Sequence, residues 1–74
     1  MDTGVLVYDI IQKRIDIRFG LEEFYGGLHC GECFQVEING MWVDTRVEYS
    51  HEHDDWYLIG VGKDISLVGL RVRI

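Results

Sequence analysis

The chain has 74 residues, 47% of them hydrophobic, and carries 13 acidic against 7 basic side chains for a net charge of −6. That length allows a single domain with a marginal core, burying roughly 60% of the unfolded surface, and the apolar content excludes a disordered chain. No apolar run approaches the roughly 18 residues of a membrane span, and no basic-then-apolar leader opens the sequence, so the expected setting is a reducing cytoplasm with both cysteines as thiols.

The expected class is all-β, because short alternating runs rich in Val, Ile, Tyr, Phe and Trp dominate and helical periodicity is absent. Val5 to Asp9 reads as a first strand and Ile15 to Phe19 as a second, with a polar turn around Gln12, Lys13 and Arg14. Leu21 to Tyr25 is compatible with one short helical turn, stopped by Gly26-Gly27. The sharpest signal is Asn39-Gly40, which joins two alternating runs, Phe34 to Ile38 and Met41 to Tyr49. A two-residue turn pairs Ile38 with Met41 and fixes which side chains share a face. Phe34, Val36, Ile38, Met41, Val43, Thr45, Val47 and Tyr49 form the predicted core face. Gln35, Glu37, Trp42, Asp44, Arg46 and Glu48 form the wet one. Trp56 to Gly60 and Leu70 to Arg73 complete five to six strands. The whole is a small, strongly bent antiparallel sheet or SH3-like barrel, with an open sheet plus one helix as the alternative.

Two pairs of metal-ligand residues stand out. Cys30-Gly31-Glu32-Cys33 has the two-residue gap of a zinc knuckle, and His51-Glu52-His53 offers two imidazoles on one side of an extended chain. Extending the hairpin register sets Cys30 opposite Tyr49 and His51 opposite Leu28. Cys30 and His51 are then diagonal neighbours about 7–8 Å apart. Cys30, Cys33, His51 and His53 are thus the expected ligands of one structural zinc, with His29, Asp54 or Asp55 as substitutes. Four protein ligands leave no open position for a reactive water. The one-residue gap between the histidines departs from common zinc modules. Without metal, Cys30 is a small buried hydrophobe, Cys33 an exposed thiol and the histidines loop residues. A disulfide oxidoreductase needs a helix N-terminus in a βαβ setting, which the sequence does not offer. A small metal-dependent hydrolase needs an open coordination position and a substrate pocket, so an enzyme is disfavoured.

The charge imbalance is local. From Leu21 to Asp55 nine acids face one base, Arg46. Such a segment repels phosphate and attracts basic surfaces, so direct nucleic-acid binding is disfavoured and a protein partner with a basic surface is expected. Glu37, Asp44, Glu48, Glu52, Asp54 and Asp55, with Trp42 among them, are the candidate protein-binding residues. A plain solubilising surface is the alternative.

The run from Arg18 to Phe34, the hairpin Asn39-Gly40-x-Trp42-Val-x-Thr45-Arg46-Val-Glu48, Trp56-Tyr-Leu58 and the closing Gly69-Leu-x-Val72-Arg73-Ile resemble a family of short uncharacterised proteins of Gram-positive bacteria, their phages and mobile elements. The resemblance spans most of the chain from Val5 onward and implies a small β protein without assigned chemistry. The pattern does not place the His51-Glu-His53 loop, which leaves open whether a metal is shared across the family. In size, charge and setting the chain also resembles anti-CRISPR proteins. That likeness implies a stoichiometric inhibitor that docks on the DNA-handling surface of a CRISPR effector nuclease. The broader alternative is an interaction or regulatory module of a mobile element without inhibitory activity.

Overall fold

The computed structural model describes residues 1–62 and 64–74. Six strands follow the alternation of the sequence: β1 (Thr3–Asp9), β2 (Arg14–Arg18), β3 (Cys33–Ile38), β4 (Met41–Ser50), β5 (Asp55–Leu58) and β6 (Arg71–Arg73). They build one antiparallel sheet in the order β2-β1-β6-β3-β4-β5. The predicted hairpin register holds from Ile38↔Met41 to Cys33↔Arg46. The last strand inserts between the first and third, pairing Gly4 with Val72 on one side and Val36 with Val72 on the other.

The sheet curls into a half-barrel around Leu6, Ile15, Ile17, Leu28, Phe34, Val36, Val47, Leu58 and Val72. Every strand contributes to this core, as period-2 alternation requires. The neighbouring strand approaches closely at Gly4, where a Cβ would sit 2.6 Å from the Arg18 carbonyl oxygen and 2.7 Å from Ile17 Cγ2. Any side chain there collides with the neighbouring strand.

Two expectations are corrected. No helix forms among the described residues, and Leu21 to Tyr25 is a loop that turns the chain back along β2. The Phe19 N–H donates to the Glu23 carbonyl (2.7 Å), and Arg18 bridges Phe24. Gly26 and Gly27 interrupt this run because their N–H groups serve Asp16 instead. The predicted core face of the hairpin also thins at both ends. Met41 is 70% exposed at the turn, and Tyr49 is only partly covered. Of the two expected forms it is the strongly bent antiparallel sheet that is found, since β2 and β5 end the sheet without pairing to each other.

Asp16 is the one buried acid, 4% exposed. Its Oδ1 accepts from the N–H groups of Ile17 (2.8 Å), Gly26 (3.0 Å) and Gly27 (2.8 Å). The loop backbone thereby finds partners away from water. Along the same edge, the N–H groups of Tyr25 and Leu28 donate to the carbonyls of Ile17 and Ile15. Residues 24–28 therefore cover β2, and the chain blunts one of its own sheet edges.

Candidate functional site

The outer face of the central hairpin is not an acidic plate. Insertion of β6 brings Arg71 and Arg73 beside β3. Arg71 pairs with Glu37 at 3.1 Å, and Arg46 with Glu48 at 3.1 Å. Gln35 links Arg73 (2.6 Å) to Asp44 (2.9 Å). Trp42 is half-buried because the Arg73 guanidinium lies 4.3 Å from its ring centroid and that of Arg71 lies 5.8 Å away. Glu37, Asp44, Glu48 and Trp42, singled out as contact residues, are thus occupied within the chain. The signal missing from the sequence was long-range, since the two arginines sit some thirty positions downstream of Glu37.

The cysteine loop takes a different shape from the extended register. Gly31, at φ +87°, donates to the Val47 carbonyl (2.8 Å), and the Val47 N–H donates to the Glu32 carbonyl (3.1 Å). Two residues oppose one, which is a glycine β-bulge. The Glu32 N–H also closes a turn onto the His29 carbonyl at 3.1 Å. Bulge and turn lead the chain away from β4 before Cys30, so Cys30 does not face Tyr49. Both cysteines are free and exposed. Glu32 accepts from Tyr25 Oη and from the His29 N–H (2.9 Å), which ties the loop together without a metal. The hydrogen bond to Glu32 raises the Tyr25 pKa, helped by partial burial.

At the far tip of β4 and β5, His51, Glu52, His53 and Asp54 form a turn rather than an extended run. The His51 ring stands edge-on to Tyr49, 5.2 Å between centroids, and Tyr49 in turn meets Trp56 at 5.0 Å. The Tyr49 hydroxyl donates to Asp54. That bond, with partial burial and the nearby charges of Asp54 and Asp55, pushes the Tyr49 pKa up to about 12. The His53 N–H donates to Ser50 Oγ at 3.1 Å.

The predicted zinc ligands therefore do not assemble. Among the described residues, no group of three or more His, Cys, Asp or Glu side chains is placed to hold a metal ion. His29, the substitute ligand, has its Nδ1 3.2 Å from the Arg14 guanidinium, a cation where a metal would compete.

What the fold does create is a pair of grooves flanking β5. One, of about 420 Å³, lies between β5 and the β1–β2 hairpin and is lined by Tyr8, Ile15, Trp56, Leu58, Leu67 and Val68, with Asp55 and Asp64 also on its wall. The other, of about 460 Å³, is lined by Ser50, Glu52, His53, Asp55, Trp56 and Tyr57. Asp55, Trp56 and Tyr57 belong to both. No lysine or arginine lines either groove among the described residues. Asp55 and Glu52 were expected at a contact surface. Tyr8, Ile65, Leu67 and Val68 were not, because only the curl of the sheet gathers them.

Fold and surface define a small, open all-β domain with an arginine-balanced outer face and an acidic, aromatic seam. The chain belongs to the family described as a domain of unknown function, DUF5348, whose model matches residues 4–74. It is similar to a protein from Ruminococcus gnavus whose crystal structure was solved by the Northeast Structural Genomics Consortium. The two are 54% identical with a TM-score of 0.86, over 97% of this chain and 99% of that one. No curated protein matches. No helix among the described residues is long and apolar enough to cross a membrane.

Proposed function

We propose that this chain is a non-enzymatic protein-binding domain that docks its acidic β4–β5 end on a basic surface of a partner protein. Charge segregation carries this reading. On the outer face, Arg18, Arg46, Arg71 and Arg73 oppose Glu37, Asp44 and Glu48, whereas the remaining three bases are left with ten acids. Glu52, Asp54 and Asp55 cluster at one tip beside His51, His53, Tyr49 and Trp56. Acids around half-buried aromatics suit an interface whose attraction is electrostatic and whose grip is apolar. The contact set thereby narrows from seven residues along the hairpin to Glu52, Asp54 and Asp55, with Trp56 in place of Trp42.

The narrower form of this reading is an inhibitor of the anti-CRISPR type, which competes with nucleic acid for the basic channel of a CRISPR effector nuclease. The small size and acidity of the chain support it. The test is affinity capture from a bacterial lysate with the wild-type chain and with E52K/D54K/D55K, read by mass spectrometry. A partner retained by the wild type at low salt, and lost both in the triple variant and above about 0.5 M salt, supports electrostatic docking. Identical capture by both chains would falsify it. Block of DNA cleavage by a captured nuclease marks the inhibitor. A captured protein that keeps full activity marks a regulatory module instead.

A further inference from the structure

The two ends of the curled sheet are treated differently by the chain itself. Residues 24–28 lie along β2 and hydrogen-bond to it. The other edge, β5, pairs only with β4 among the described residues. Its outward peptide groups can be assigned from the ladder. Val47 directs both backbone groups to the Gly31–Glu32 bulge, so Glu48, the next residue, faces β5 and bonds to Tyr57 opposite it. Trp56 and Leu58 then turn their peptide groups toward the seam. The Trp56 N–H is held by Asp55 Oδ1 (2.8 Å), and the Leu58 carbonyl accepts from the Val61 N–H (3.3 Å). The Trp56 carbonyl and the Leu58 N–H remain without a partner among the described residues. They flank Tyr57, which is the spacing at which one residue of a parallel strand accepts and donates.

We infer that this seam is a strand-addition groove, and that its occupant is an extended segment of a partner protein bearing lysine or arginine at alternate positions. Charge names the occupant. Asp55 and Asp64 line the groove on the seam side, and Glu52 and Asp55 line the one on the other flank of β5. Arg14, which lies over Trp56, already donates to the Leu28 carbonyl at 2.8 Å. Apolar side chains of the incoming strand meet Tyr8, Ile15, Trp56, Leu67 and Val68 on the inner side, while its cations, on the other side, meet Asp55 and the face of Tyr57. Main-chain bonds give such a complex its affinity, and the alternating contacts give it selectivity. The inference rests on the acidic-docking reading and adds to it the groove, the strand geometry and the side-chain pattern of the partner.

The experiment is a nuclear magnetic resonance titration of the full ¹⁵N-labelled chain with three synthetic hexapeptides: acetyl-Lys-Val-Lys-Val-Lys-Val-amide, a version N-methylated at alternate peptide bonds, and the Glu-Val analogue. The expected result is saturable amide shifts at Asp55–Leu58 and Ile65–Val68, with exchange of the Leu58 amide slowed about tenfold by its new hydrogen bond. The N-methylated and Glu-Val peptides should each bind at least about tenfold more weakly, as should the lysine peptide to D55N/D64N. Equal binding of the N-methylated peptide, shifts confined to the outer face of β3 and β4, or no binding of the lysine peptide overturns the groove. None of these decides the broader reading, which stands or falls on the lysine-reversal capture. Should capture fail while the lysine peptide binds along β5, the groove stands and tip docking falls.

Discussion

Asp16 shows how one side chain sets a loop. Its Oδ1 gathers three backbone N–H groups, of which those of Ile17 and Gly27 are closed to water. Removing it strands those two buried donors, at about 1–3 kcal/mol. At the upper end, with about 4–8 °C of melting temperature per kcal/mol in a domain this small, Asp16→Ala should melt roughly 12–24 °C lower. Asp16→Asn, which keeps an oxygen at the same place, should lose less, and calorimetry on the two variants separates loss of the acceptor from loss of charge. Tyr49 provides a second residue-scale test. Its pKa is raised from the ordinary 10.0 to about 12 by the Asp54 carboxylate that holds its proton. A raised pKa favours the neutral folded form, so this contribution to stability is complete below pH 10 and is lost as pH climbs through 12. Ultraviolet titration of tyrosinate should show a step near pH 12 that moves down in Asp54→Asn; an unchanged step removes Asp54 as the cause.

At the scale of elements, the Asn39-Gly40 hairpin was legible because local turn chemistry and alternation agree. The same register failed two residues beyond its end. Gly31 inserts a bulge, and one extra residue cancels the facing that would have joined Cys30 to His51. Its left-handed backbone explains why glycine stands there. Gly31→Ala, with open space around the missing Cβ, should cost about 1–2 kcal/mol through backbone strain alone. A variant as stable as the wild type would remove the bulge from this account. Gly4 fails by a different route. The collision with Arg18 and Ile17 makes Gly4→Ala an overpacking change of about 1–3 kcal/mol, which chemical denaturation would register as a lower midpoint at unchanged slope.

For the whole molecule, the decisive event is the insertion of β6 between β1 and β3. It converts a hairpin that reads as acidic into a face neutralised by Arg71 and Arg73, and it puts Trp42 under a guanidinium. Arg73→Ala should uncover that indole, shifting tryptophan emission to the red at a cost of about 1 kcal/mol. Emission unchanged from the wild type would mean the guanidinium does not shield the ring. Metal removal is a whole-molecule measurement too, because a structural zinc would be linked to folding. Elemental analysis of the purified chain, with melting recorded before and after chelation, tests the zinc expectation directly. One zinc per chain, with collapse of cooperative melting on chelation, would assign it to Cys30, Cys33, His51 and His53; a metal-free chain that melts unchanged would remove it.

By itself the sequence determined the all-β class, nearly every strand and the central hairpin register, because alternation and turn chemistry act between neighbours in the chain. Cys30-x-x-Cys33 and His51-x-His53 were visible on the same terms, but their meeting required a register that one glycine altered. The strand order, the half-closed barrel, the pairing of Glu37 with Arg71 and the seam beside β5 were decided only by tertiary structure. Each depends on contacts between residues far apart in sequence, and burial of the common core, not any local preference, chooses among them.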